Sequence, residues 1–137
     1  MTAMSVPAVS AATAGAILLL QMILMINVGR HRTRTRTLLG DGTDPALQRS
    51  IRVHANLAEN AALFLVGFAL LELITGPSGL LIGLCTVFVL ARIAHAVGLS
   101  RTDGPNPGRF LGALGTLVVG AITAGALLWY GGRVLLA

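Results

Sequence analysis

Four apolar stretches, each long enough to cross a bilayer, alternate with short polar connections along the chain. Residues 9–28 carry no ionisable group and are interrupted only by Gln21, Asn27 and small hydroxyls. At about 1.5 Å per helical residue this run covers a hydrocarbon core of about 30 Å. It ends in Gly29 and the basic tract Arg30-His31-Arg32-Thr33-Arg34-Thr35-Arg36. A loop follows, marked by Gly40, Asp41, Gly42, Asp44 and Pro45. A second helix is predicted over 45–73, with Asp44 as its N-cap and Pro45 at its first position. Thr75-Gly76-Pro77-Ser78-Gly79 reads as a tight turn into a third helix over 80–99. The third connection, 100–108, holds Asp103, Gly104, Pro105, Asn106 and Pro107. A fourth helix over 110–130 contains no charge, and its closing Trp129-Tyr130 suits a membrane interface. The expected fold is all-α: an integral membrane four-helix bundle in one domain spanning 1–137.

Composition supports that reading. The chain is 55% hydrophobic and 11% charged, against about 45–50% and about 25% in ordinary globular domains. Mean hydropathy is +0.82, so too few polar side chains remain to cover a water-soluble surface, and disorder needs the opposite balance. The single cysteine, Cys85, excludes an intramolecular disulfide and a thiolate metal cluster, and inside an apolar run it reads as packing. No cleavable signal peptide is expected, because no basic residue precedes a first run that is itself long enough to span. Four crossings put both termini on one side. Arg30, Arg32, Arg34, Arg36, Arg49, Arg101 and Arg109 flank the first and third connections, whereas Arg133 alone flanks the terminal side. The positive-inside rule then places both termini on the non-cytoplasmic face. The Arg-Thr-Arg tract reads as a topology anchor touching anionic head groups, and no nucleic-acid role is expected.

Ionisable groups inside a span cost on the order of 2.5–3.5 kcal/mol each on insertion scales, so the few present carry information. The second helix holds Arg52, His54, Asn56, Glu59, Asn60 and Glu72. At about 100° per residue, Arg52, Asn56 and Glu59 form one stripe with Asn60 at its edge. Glu72 falls roughly opposite, near the other end. On the third helix Arg92 and His95 share a face, and Arg109 opens the fourth. All but Glu72 fall in the cytoplasmic half. Two readings stay open on spacing alone. One is a structural network in which Arg92 pairs with Glu59, since an isolated buried charge is costly. The other is a pocket open to the cytoplasm: arginines to bind carboxylates, Glu59 to receive an ammonium group and Asn56 to bond amide atoms. That donor set suits a small zwitterionic peptide.

The run Arg52-Val53-His54-Ala55-Asn56-Leu57-Ala58-Glu59-Asn60 resembles the second-helix signature of the MAPEG family, the membrane-associated proteins in eicosanoid and glutathione metabolism. Leu39-Gly40-Asp41-Gly42 and Ala91-Arg92-Ile93-Ala94-His95 resemble that family's bacterial branch, and the likeness extends from the first basic loop to the fourth helix. It implies an inner-membrane homotrimer that holds glutathione between subunits toward the cytoplasm and turns its thiolate on lipophilic substrates. Arg52, Asn56, Glu59 and Arg92 match positions that contact glutathione. Arg109 matches the arginine that stabilises the thiolate in some members. His54 and His95 match motif positions of packing or network character. No Ser or Tyr follows Arg109 closely, which argues against a specialised eicosanoid synthase.

The expected function is therefore a glutathione-dependent membrane transferase or peroxidase, with glutathione as cosubstrate and no metal. Two alternatives are a non-catalytic member binding a thiol or other small anion, and a small multidrug exporter. The exporter would need an acidic residue in the first helix, and none is there.

Overall fold

The computed structural model describes residues 6–102 and 104–136; Asp103, assigned above to the third connection, lies outside them. Four helices follow in order: α1 (Ala8–Thr35), α2 (Pro45–Thr75), α3 (Gly79–Arg101) and α4 (Pro107–Leu135). All four are long and apolar enough to cross a membrane. Three have side-chain N-caps that the sequence supplies locally. Asp44 accepts from the Leu47 N–H at 2.8 Å, Ser78 from Leu81 at 3.2 Å and Asn106 from Gly108 at 2.8 Å. Asn106 with Pro107 at the first position starts α4 three residues ahead of the apolar run, because Pro has no N–H to leave unsatisfied there.

Helix α1 outruns its apolar stretch and continues through the basic tract. Arginine is a good helix former, and the Thr33 and Thr35 hydroxyls donate back to the Gly29 and His31 carbonyls at 3.1 and 3.0 Å. The helix stops at Arg36, whose φ of 55° is left-handed. There the Arg36 and Thr37 N–H groups turn back onto the Thr33 and Arg32 carbonyls.

Pro7, at the start of α1, offers no side-chain cap. The cap comes from another helix instead. The Glu72 carboxylate, 1% exposed, accepts the Val9 N–H at 3.0 Å, the Ser10 N–H at 2.8 Å and the Ser10 hydroxyl at 2.6 Å. An anion at a helix N-terminus meets both the orphan donors and the positive end of the dipole. This contact ties the start of α1 to the end of α2, so the two run antiparallel.

Helices α2 and α3 form the centre, and α1 and α4 flank them without packing on each other. The centre is aromatic: Phe64 stacks on Phe88 at 4.5 Å, and Phe68 meets Phe88 edge-on at 5.5 Å. Ile17, Leu57, Leu71, Leu81, Cys85 and Val119 complete the cluster. Helices α3 and α4 approach most closely through glycine. A Cβ on Gly112 would lie 2.6 Å from the Ala91 carbonyl oxygen and 2.7 Å from the His95 nitrogen, and one on Gly98 would lie 2.6 Å from the Arg109 nitrogen. Small residues that admit backbone this close are how membrane helices gain packing without a hydrophobic drive.

Two stability outcomes follow for the chain in detergent. Gly112→Ala is expected to lower unfolding stability by about 2 kcal/mol, because backbone must move, whereas Gly125→Ala, which meets nothing within 4 Å, leaves it unchanged or slightly raised. Unfolding followed by circular dichroism checks both. The bond from the Leu47 N–H, aided by the charges of Arg34 and His31, holds the Asp44 carboxyl below its ordinary value. A depressed folded pKa adds stability above the unfolded value of about 3.9, and that stability drains as pH falls through the folded one. Asp44→Asn caps comparably but does not ionise. Wild type should therefore exceed it at pH ~7, and the difference should shrink as pH falls below the ordinary carboxylate range.

Candidate functional site

Helix α3 carries Arg92 into the interior, where it is 3% exposed. Its guanidinium reaches both neighbours. One terminal nitrogen donates to the Asn56 side-chain oxygen and, at 3.3 Å, to the Asn56 carbonyl on α2. The other donates to the Thr116 hydroxyl on α4 at 3.4 Å. Thr116 donates its own proton to the Gly112 carbonyl at 2.8 Å, which leaves its lone pairs for Arg92. The Arg92 Nε is buried and has no hydrogen-bond partner among the described residues.

These groups line an open groove of about 590 Å³ between α2 and α4, with α3 as its floor. Asn56, Asn60, Arg92, His95 and Thr116 make its polar end, and Phe64, Leu117, Gly120 and Ala124 its apolar end. The apolar end continues into a hollow of about 330 Å³ that shares Phe64, Gly120 and Ala124 and adds Leu63, Leu70 and Leu127. The volume is in the range of small-ligand sites.

Arg52 and Arg109 stand apart from this groove. With Arg49, Gln48 and Leu99 they line a second hollow of about 260 Å³ at the basic end of the bundle. Arg109 donates to the Gly104 carbonyl at 3.2 Å. Arg52 pairs with Glu59 at 3.3 Å, both side chains more than half exposed, so the pair adds at most about 1 kcal/mol. The pairing of Arg92 with Glu59 considered from spacing does not form, because Asn56, one turn nearer on the stripe, takes the guanidinium. His95 lines the groove with Arg92 and is not part of the lining of the second hollow.

His54 lies elsewhere. Its Nε2 is 2.7 Å from the Gln21 amide nitrogen, which donates to it, and this contact fastens α1 to α2. Of the sequence candidates, then, Asn56, Arg92 and His95 share the groove, Arg52 and Arg109 share the basic hollow, Glu59 sits on Arg52, and His54 belongs to helix packing. Thr116 and Asn60 complete the polar end of the groove, and the sequence reading did not assign them to it. The signal for Thr116 was its place two turns after Arg109, on the buried face of α4 that also carries Gly112 and Thr123.

Comparison with known families gives a match to the MAPEG family model over residues 10–129. No curated protein matches the sequence. The matched span contains every residue of both hollows, all of α2 and α3, and α1 and α4 except the start of the first and the end of the last.

Asn56→Leu takes away the side-chain acceptor of a buried charge and is expected to cost about 1.5–3 kcal/mol. Adding Arg92→Met removes the charge itself and should restore most of that loss. Denaturant unfolding of the two variants tests whether the pair is coupled in this way.

Proposed function

Because the chain belongs to the MAPEG family, we propose that it is a membrane glutathione-dependent transferase or peroxidase acting on lipophilic substrates. The observation that carries the reading is the buried Arg92 guanidinium, held by Asn56 and Thr116, with its Nε left over beside a groove that runs from polar to apolar. Its partners Asn56 and Thr116 are neutral, and a carboxylate in the groove that Arg92 lines balances its charge. The donor set fits glutathione: it has two carboxylates for the arginines and an ammonium group for Glu59. The Arg52–Glu59 pair is exposed and weak, so a zwitterion can replace it one charge at a time.

Glutathione supplies the thiol that acts as nucleophile. The chain's part is to bind it, orient it and stabilise its anion. A free thiol has a pKa near 8.5, and a guanidinium close by favours the thiolate. Arg109 has that role in this proposal, with Arg92, Arg52, Asn56 and Glu59 as binding residues and His95 beside Arg92 in the groove. The apolar end of the groove receives the lipophilic substrate from the bilayer. In this reading three copies of the chain enclose the ligand between them, and the basic end faces the cytoplasm of a bacterial inner membrane, as the arginine distribution favours.

The test is glutathione binding to the detergent-purified full chain, followed by ultraviolet absorbance of the thiolate. A saturable signal is expected. Arg109→Ala should lower the thiolate fraction on the order of tenfold at neutral pH, and Glu59→Gln should weaken binding. Wild-type signals in both variants would remove the assignment of those residues. Turnover of an aryl halide separates the enzyme from a protein that only binds.

A further inference from the structure

We propose that the basic end of α1 and the loop after it form a docking surface for anionic phospholipid of the adjoining leaflet. This surface lies on α1 and the first connection, outside both hollows described above. The apolar run of α1 ends at Val28, and the helix then continues to Thr35. At about 1.5 Å per residue this extension projects about 10 Å past the hydrocarbon, the depth of the head-group layer. Arg30 and Arg34 are one turn apart on one exposed face of it.

The arginines of the tract divide their work. Arg32 turns inward and donates to the carbonyls of Thr37, Leu38 and Gly40 at 3.3, 3.4 and 2.8 Å, which shapes the loop. Arg30, Arg34 and Arg36 remain exposed. The left-handed turn at Arg36 reverses the chain, and the next apolar residues, Leu38 and Leu39, are 93% and 92% exposed. Two adjacent leucines left uncovered beside three guanidinium groups, at the edge of a bilayer, match one occupant. Phosphate head groups take the arginines through charge-assisted bonds, and the acyl region beneath takes the leucines. The loop also carries Asp41 and Asp44, and Arg34 acts on the Asp44 carboxylate; against the four arginines of the tract these two charges leave the patch net positive.

The experiment places one reporter in the loop of the full chain. Leu39→Trp in a Trp129→Phe background is reconstituted into vesicles of phosphatidylcholine and phosphatidylglycerol, with bromines on the acyl chains of one lipid or the other. Blue-shifted emission is expected, with brominated phosphatidylglycerol quenching several-fold more than brominated phosphatidylcholine. Each guanidinium should contribute up to about fivefold to that preference. R30Q/R34Q/R36Q should abolish it, single Arg→Gln changes should lower it in part, and R30K/R34K/R36K should keep it, since charge and topology signal are retained. Equal quenching by the two lipids would overturn the proposal, as would a preference that survives all three glutamines. Water-like, unquenched emission would also overturn it.

Discussion

A guanidinium inside a bundle of spanning helices has to be held by protein, because hydrocarbon offers it no acceptor. Arg92 meets that demand by taking Asn56 from α2 and Thr116 from α4. One side chain on the central helix α3 thus sets the rotation of both neighbours. The requirement also explains why α4 is rich in glycine where it passes α3. Gly112 brings the two backbones close enough for Thr116, one turn on, to reach the guanidinium. Packing and the polar contact are one constraint seen from two sides.

The same economy governs the other end of the bundle. Glu72 is buried with no cation beside it among the described residues, yet it is satisfied by three donors at the start of α1. A helix that lacks a capping residue of its own and a buried carboxylate that needs donors solve each other's problem. Gln21 and His54 repeat the pattern midway along α1 and α2. Polar side chains within the spans therefore serve as fasteners between specific helix pairs, which apolar contact with lipid-like surfaces cannot specify.

Charge is distributed unequally in this arrangement, and that inequality connects structure to chemistry. Among the described residues the terminal end balances its buried carboxylate with neutral donors, whereas the basic end gathers Arg49, Arg52 and Arg109 in one hollow and Arg92 with His95 in the next. A site that accumulates positive potential beside an apolar groove favours an anion whose other face meets an oily molecule. Membership of the MAPEG family gives that arrangement its chemical context.

Four spans, their order and the cap at Asp44 were legible in the sequence, since hydropathy, length and capping act over a few residues, whereas Ser78, read as part of a turn, also caps α3. The tract after Val28 was read as the end of a helix because its charge is obvious, whereas its helicity follows from the helix propensity of arginine, which the hydropathy pattern does not show. Asn56, Arg92 and His95 could be named from motif and periodicity. Which acceptor Arg92 would take could not: Asn56 and Glu59 share a stripe on α2, and only the separation and rotation of α2 and α3 favour the nearer one. The division of the arginines between two hollows, and the bond from Glu72 to α1, likewise depend on how helices far apart in the chain lean together. Local pattern determined the elements; the need to satisfy each buried polar group across helices decided the site.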